Sequence, residues 1–549
     1  MLPELERLLT STDWMELESG ILILGAIAEG CTEGMVDHLP GLINQMINVG
    51  LKSEKALVRS ITCWTLSRYS SWVVKTTLEN YACTNSVDEA RSEYLQPLVQ
   101  AFLERILDTS KRVQEAACSA FATLEEEATG ELEIYLDEII LTMYEASKTY
   151  QAKNLLILYD AIGTLADVVG EPLGNTRHIS DLLNELMAKW DRMPTNSSDP
   201  RSKDIFALLE CLSSIATAIG KKFRIHSQTV FSKSTELIAR SLHHVIEYRQ
   251  QSIACQQAGV PCKMEVPDKD FMIVGLDLLS GVTEGLGKAI SEFVKYSNPS
   301  VLDLMLECAT DSTPEVRQSA FALMGDLTKA CYEHIHPKLH KAIPLLVGNI
   351  TKFQGGYATS LISVCNNATW ALGEICVNLN RLKMSRMNIE NLEEILNLID
   401  NNSLPIMEHL SRIIQMENMQ KTLIENTAIT IGRLGLLCPT KCCQYIPRFI
   451  RYWCASLQTI RDNEEKYTAF LGLVMMIFEN TQILQDLNVF STICVGIASW
   501  WQPPSDLLNH FHKILHGVVD QIPKEEWENI KAQYLPPTVR HRLTQFYNI

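Results

Sequence analysis

The sequence predicts an all-α protein, a right-handed α-α superhelix built from repeated helix pairs. Apolar residues recur at spacings of three and four along nearly the whole chain, which is typical of amphipathic helices, and strand-like alternation is absent. Only 26 Gly and 20 Pro occur among 549 residues, while 46% of the residues are hydrophobic, a balance that favours helices over a sandwich or barrel. A short helical phrase also recurs, and this recurrence indicates a solenoid.

The recurring phrase places a prominent residue three positions before a small one. It ends at six small residues: Gly25, Ser67, Gly163, Gly325, Gly373 and Gly432. Steps of 42 residues (Gly25 to Ser67) and 48 residues (Gly325 to Gly373) match paired-helix HEAT or armadillo units. Such units cannot bury their apolar faces alone, so they stack. We therefore expect residues 1–549 to form a single HEAT-repeat array of about eleven to twelve repeats.

The second helix of each pair has a recognisable opening. Val58, Val113 and Val316 each stand between a first-turn residue and an Arg or Gln. The Val is expected to pack between helices, and the Arg or Gln to hold the turn to the neighbouring repeat. Small residues later in the helix permit close approach of neighbouring second helices. Segments rich in Pro, Gly, Ser or Asn predict long loops near 83–93, 193–203, 250–269 and 353–359.

Composition narrows the class of function. A formal net charge of −17 argues against nucleic acid as a direct partner, because phosphate binding needs clustered Lys and Arg. The 16 cysteines are scattered through apolar helical stretches, which indicates buried, reduced thiols. No apolar run approaches the ~18 residues of a membrane helix. No phosphate loop, nucleophile elbow or metalloprotease motif occurs, so we predict no enzyme activity, no cofactor and no metal.

The second helices carry the pattern that points to binding. Leu22, Trp64, Asp160, Trp370 and Ile429 share the position three before the small residue, and equivalent positions of stacked second helices line one face. Carboxylates stand in the same helices: Glu126, Asp160, Asp167, Glu210, Asp277 and Asp326. Two readings stay open: the tryptophans are core residues and the acids pair with Arg between repeats, or both belong to an open surface. A row of acids with hydrophobic anchors suits an extended basic peptide that ends in an apolar or aromatic group.

Long stretches of the chain resemble the transportin family, the karyopherin-beta-2 nuclear import receptors. They include Ser60–Tyr69, Lys111–Glu127, Asn154–Asp167, Asp268–Ile273, Ser363–Trp370 and Ile460–Lys466, and the similarity runs from about Trp14 to the C-terminus. The resemblance implies a monomeric receptor that shuttles between cytoplasm and nucleus and binds cargo on a concave face. Its ligands would be proline-tyrosine nuclear localisation signals, often of RNA-binding proteins. Nucleoporin phenylalanine-glycine repeats and the GTP-bound Ran GTPase would be its other partners.

The resemblance also assigns a cargo-signal site residue by residue. It comprises Leu22, Ile61, Trp64, Arg68, Thr123, Glu126, Asp160, Asp167, Glu210, Ser213, Ile273, Asp277, Gln318, Asp326, Ile362, Trp370 and Ile429. The Pro-Tyr end would meet the first of these, and the upstream basic or hydrophobic stretch the last. The family's N-terminal Ran-binding arch is expected to be absent, so that the chain would correspond to the C-terminal, cargo-binding arch, with part of the Pro-Tyr pocket missing before Met1.

Two other functions fit a helical-repeat array. A scaffold subunit that organises a protein complex would have constitutive partners and no need for a row of acids. An exportin-type karyopherin has a similar repeat pattern, and only the transportin-like motifs separate it from an import receptor.

Overall fold

The structure is a computed structural model that describes residues 2–84, 93–194, 200–355, 358–385 and 390–549. The described residues form helices joined by turns and contain no β-strand, which confirms the all-α prediction. None of the described helices is both long enough and apolar enough to cross a lipid bilayer. The chain divides into two compact units, residues 1–237 with 266–286 and residues 238–265 with 287–549, each described by itself.

The first unit is a stack of helix pairs. Its helices are α1 (Leu2–Leu9), α2 (Trp14–Cys31), α3 (Leu39–Gln45), α4 (Ala56–Ser67), α5 (Ser70–Thr84), α6 (Leu95–Ile106), α7 (Lys111–Ala128), α8 (Leu136–Thr149), α9 (Ala152–Val169), α10 (Ile179–Arg192), α11 (Asp204–Ile219), the start of α12 (Arg224–Ala258) and α13 (Asp270–Leu286). Second helices pack directly on one another in the order α2, α4, α7, α9, α11 and α13. The first helices α6, α8 and α10 form the other layer.

The second unit repeats the arrangement. After the rest of α12 come α14 (Ser291–Lys295), α15 (Val301–Cys308), α16 (Pro314–Ala330), α17 (Tyr332–Ile335), α18 (Leu339–Lys352), α19 (Thr359–Ser385), α20 (Leu392–Ile413), α21 (Lys421–Leu437), α22 (Pro439–Cys442), α23 (Ile446–Leu457), α24 (Glu464–Glu479), α25 (Leu487–Ala498), α26 (Ser505–Val519), α27 (Lys524–Tyr534) and α28 (Pro537–Tyr547). Its second helices stack in the order α16, α19, α21 and α24, while α18 packs on α20 and α23 packs on α25 in the first-helix layer.

The predicted openings of the second helices are confirmed. α4, α7 and α16 begin within two residues of Val58, Val113 and Val316, and all three valines are fully buried. Arg59 donates from Nε and Nη2 to the carboxylate of Asp108, at 2.8 and 2.9 Å, in the turn before the next second helix. Each opening therefore buries its valine inside the pair, and at the first opening the next side chain, Arg59, also holds the neighbouring turn.

The structure can be compared with the four predicted loops only in part. Residues 85–92, 195–199 and 356–357, which fall in three of the four loops, lie outside the described residues. The loop expected at 250–269 begins later, because α12 continues to Ala258. Its Gln, Ser and Ala residues are compatible with a helix, and the helix ends where Gly259 adopts a positive φ of 67°.

Candidate functional site

Trp64 is held in place by the preceding second helix. α2 and α4 approach closely because Gly25 has no side chain, and a Cβ there would lie 2.4 Å from Cζ3 of Trp64. Thr65 donates from Oγ1 to the carbonyl oxygen of Ile21 at 2.9 Å, which fixes the two helices at this contact. The Trp64 side chain is nevertheless 39% exposed. One part of the ring is therefore seated on α2 while the rest is available to a ligand.

A groove of about 1180 Å³ lies between α2, α4, α5 and α7 in the first unit. Four predicted site residues line it: Ile61, Trp64, Arg68 and Thr123. Carboxylates line it as well: Glu18, Glu29, Glu33, Glu115 and Glu127. Arg68 already pairs with Glu29, at 3.1 Å between Nη2 and Oε2. The groove offers an aromatic ring and an aliphatic side chain beside acidic groups, which suits an apolar or aromatic ligand group next to a basic one. Leu22, 47% exposed on α2, is not among its lining residues.

Four exposed carboxylates continue along the second helices of this unit, and we call them the acidic track. They are Glu126 on α7, Asp160 and Asp167 on α9, and Glu210 on α11. Within the described part of the chain, none of the four forms a salt bridge. Partial burial, with the negative charge of Asp160, raises the pKa of Glu210. Asp160 and Glu210 are thus close enough to repel each other, and a bound cation would relieve that repulsion.

The remaining predicted residues of the first unit lie further along the same helix layer. Ser213 on α11 donates its hydroxyl to the carbonyl oxygen of Asp277 on α13, at 3.2 Å. The Asp277 side chain is exposed, and that of Ile273, one turn earlier, is half-buried. Ser213 therefore contributes to helix stacking whatever else it binds.

The second unit places Trp370 as the first unit places Trp64. A Cβ on Gly325 of α16 would lie 2.0 Å from Cζ3 of Trp370 on α19, so the ring lies directly over this glycine. Trp370 is half-buried, as are Gln318 and Asp326 on α16.

Two predicted residues of the second unit do not lie on an open surface. Ile362 is 7% exposed and Ile429 is 3% exposed. Ile429 belongs to α21, which is packed between α19 and α24, and that packing leaves almost none of its side chain accessible. The shared position in the recurring phrase did not predict this burial, because the phrase fixes a helix face and not the depth of a residue in it.

Several relevant residues were missed at the level of the sequence. Glu125, next to Glu126, is fully buried and neither of its carboxyl oxygens has a hydrogen-bond partner. Burial and the charges of Asp160 and Glu126 raise the pKa of Glu125 well above its usual value, which favours its protonated, neutral form. A chain of amides precedes Trp370: Asn426 donates to Asn366, Asn366 to Asn367, and Asn367 to the carbonyl oxygen of Gln318, each at 3.0 Å. The Asn pair was visible in the sequence, but nothing in its spacing distinguished amides that bridge helices.

The cysteines and histidines that are close in sequence have packing roles. Cys438, Cys442 and Cys443 are buried, and burial raises the pKa of each thiol. His512 stacks on His516, which also interacts with Asp520 and the carbonyl oxygen of Tyr547. Among the residues that the structure describes, no group of three or more His, Cys, Asp or Glu could hold a metal ion.

Comparison with known proteins gives concordant results. A family model for a HEAT-like repeat matches residues 14–69. The chain is 47% identical to human transportin-1 over 551 aligned residues, covering 100% of this chain and 55% of that protein. It is 36% identical to importin subunit beta-2 of Schizosaccharomyces pombe, covering 97% of this chain and 54% of the relative. Among solved structures, an importin beta crystal structure matches 87% of this chain and 57% of that one, with a TM-score of 0.55 at 14% identity. The chain spans about half the length of the curated relatives it matches.

Proposed function

This chain is a homologue of the transportins over its whole length, and on that premise we propose that it is a nuclear import receptor that binds proline-tyrosine localisation signals. The observation that carries the proposal is the half-open Trp64 ring in a groove beside the acidic track, in one compact unit. An aromatic or proline group would pack on Trp64 and Ile61. Basic residues of an extended signal would meet the carboxylates of the acidic track, which form no salt bridge among the described residues.

The proposed mechanism is equilibrium binding. An extended signal loses conformational entropy when it is ordered, so its affinity depends on several anchors spread along the surface. Trp64 and Trp370 are the strongest anchor candidates, since buried aromatic groups dominate many interfaces. The acidic track would speed and orient the capture of basic segments. The same proposal includes a single repeat array, nucleoporin phenylalanine-glycine repeats and Ran-GTP as partners, and shuttling between cytoplasm and nucleus.

The direct test is calorimetry with a Pro-Tyr signal peptide. Replacing Trp64→Ala together with Trp370→Ala is expected to weaken binding by about 2–4 kcal/mol, from hot-spot magnitudes. Trp501→Ala is the control for the loss of a tryptophan, because Trp501 is 71% exposed and is not one of the predicted site residues. Unchanged helicity in both variants would show that the fold is intact. Unaltered peptide affinity in the double variant would refute the site assignment and favour a scaffold role.

The acidic track is tested by salt. Because exposed charges are screened over about 10 Å at 0.1 M salt, affinity for a basic signal should fall as the salt concentration rises. Replacing Asp160→Asn with Glu210→Gln should flatten that dependence. A flat salt response in the unmodified chain would mean that the track does not contact the signal.

A further inference from the structure

The end of the long helix α12 brings two thiols together. Gly259 follows the helix in the left-handed region, with φ of 67°, and the N–H of Val260 donates to the carbonyl oxygen of Cys255 at 3.0 Å. This turn reverses the chain, so that Cys262 returns to the last turn of the helix. The thiol groups of Cys255 and Cys262 lie within hydrogen-bonding distance of each other.

These two cysteines differ from most others in the chain. Both are partly exposed, whereas cysteines such as Cys63, Cys118 and Cys211 are buried. Burial raises the pKa of those buried thiols, which suppresses the reactive thiolate. Partial burial and the neighbouring Cys262 also raise the pKa of Cys255, so the pair differs from the buried thiols in its accessibility and its thiol neighbour. Cys31 is also partly exposed, but it lies on the helix α2 of the other unit. Accessibility and a thiol neighbour therefore coincide at residues 255 and 262.

We propose that Cys255 and Cys262 form a reversible dithiol–disulfide site that is oxidised by hydrogen peroxide. In the first step a thiolate sulfur attacks one peroxide oxygen; the O–O bond breaks, a sulfenic acid forms, and the released hydroxide takes a proton to give water. In the second step the neighbouring thiol attacks the sulfenic sulfur, the S–S bond forms and a second water leaves. Two thiols and one peroxide thus give one disulfide and two waters, with two electrons passing from sulfur to oxygen.

The geometry favours a covalent bridge over a structural zinc site. Structural zinc needs four ligands in a tetrahedron, and the described surroundings supply no third His, Cys, Asp or Glu at a suitable distance. The bridge would close a short loop around the turn at Gly259, which the helix end already holds in a reversed conformation. Oxidation is therefore expected to fix the end of α12 without repacking the helix pairs.

Peptide mass spectrometry tests the site, because trypsin cleavage after Arg249 and Lys263 leaves both cysteines in one peptide, residues 250–263. After mild peroxide treatment of the full chain and alkylation of free thiols, this peptide should lose two hydrogen masses and carry no alkyl group. Reduction before alkylation should restore two alkyl groups. Cys31→Ser should leave the bridge intact, while Cys255→Ser should abolish it. In a glutathione redox buffer the bridged fraction should fall several-fold when the chain is unfolded in urea.

Separate oxidation or glutathionylation of the two cysteines without a bridge would overturn the proposal. So would an equal bridged fraction in folded and urea-unfolded chains, because the pairing would then come from closeness in sequence and not from the folded turn. Both cysteines lie at partly exposed positions outside the helix-pair core, so the serine variants test the chemistry and not the fold.

Discussion

Gly325→Ala should displace Trp370 and destabilise the second unit. A Cβ at residue 325 would lie 2.0, 2.4 and 2.8 Å from three ring atoms of Trp370, whereas ordinary contacts begin near 3.4 Å. The ring would have to retreat by about 1.4 Å. Forcing extra atoms into a packed contact typically costs about 1–3 kcal/mol. Ala offsets about 1 kcal/mol of this cost because its helix propensity is better than that of Gly. The free energy of unfolding should therefore fall by up to about 2 kcal/mol.

Gly163→Ala is the matched control. It occupies the equivalent position in α9, but a Cβ there would have its nearest neighbour, Cα of Cys211, at 3.8 Å. The same substitution should therefore stabilise the chain by up to about 1 kcal/mol, through helix propensity alone. The opposite sign of two Gly→Ala changes at equivalent positions isolates the Trp contact.

The assay combines urea unfolding with tryptophan fluorescence and peptide calorimetry. Gly325→Ala should lower the urea unfolding midpoint and weaken binding of the signal peptide, because the Trp370 ring can no longer lie over residue 325. A double variant with Trp370→Ala should be more stable than the sum of the two single changes, since the clashing ring is gone, but it should not recover the peptide affinity. Equal stability changes for Gly325→Ala and Gly163→Ala would refute the reasoning, as would a double variant less stable than the sum of the two single changes.

Two further predictions concern buried ionisable groups. Because burial and the charges of Asp160 and Glu126 raise the pKa of Glu125, its contribution to stability is present below its unfolded-state pKa and is lost as pH rises toward the folded-state value. Glu125→Met should therefore stabilise the chain by about 1–3 kcal/mol near neutral pH. The gain should be smaller near pH 4.5, which is the ordinary pKa of a Glu side chain. Urea unfolding midpoints that shift equally at both pH values would contradict this prediction. Arg433 and Glu374 form a buried ion pair at 2.6 Å, with Thr468 accepting from Nε of Arg433 at 3.0 Å. Glu374→Leu alone should lower the free energy of unfolding by about 3–5 kcal/mol, measured by heat or urea, because Arg433 is left buried and unpaired. Glu374→Leu together with Arg433→Met should lower it much less. Equal losses in the two variants would show that packing, and not the unpaired charge, causes the destabilisation.

Much of the fold was predictable because its determinants are local. Helical periodicity, the spacing of the recurring phrase and the Val openings depend on residues close together in sequence, and α4, α7 and α16 begin where those openings stand. The end of α12 was predicted too early, because a polar run of Gln, Ser and Ala can form either a loop or a solvated helix. Only the backbone conformation of Gly259 decides the boundary.

The candidate site was less predictable because burial depends on neighbouring repeats. Glu125, Glu126 and Glu127 are three identical residues in a row, yet the first is fully buried and the other two are exposed. Successive side chains of an α-helix point in directions about 100° apart, and the neighbouring helices determine which of these directions is buried. Ile429 and Trp64 likewise share a position in the phrase, and only the packing of α21 between two helices buries the isoleucine.

The small residue that ends each phrase serves different contacts in different repeats. Gly25 and Gly325 each accommodate a tryptophan ring from the next second helix, whereas Gly432 faces the backbone of Ala469, with a Cβ position 2.4 Å from its carbonyl oxygen. In the first two cases the glycine sets where a partly exposed ring stands, and in the third it sets how closely two helices approach. The orientation of Trp64 or Trp370 is therefore encoded one repeat earlier than the tryptophan itself. A substitution at Gly25 or Gly325 should therefore move the tryptophan ring and change the binding surface, even though the residue that contacts the ligand is the same.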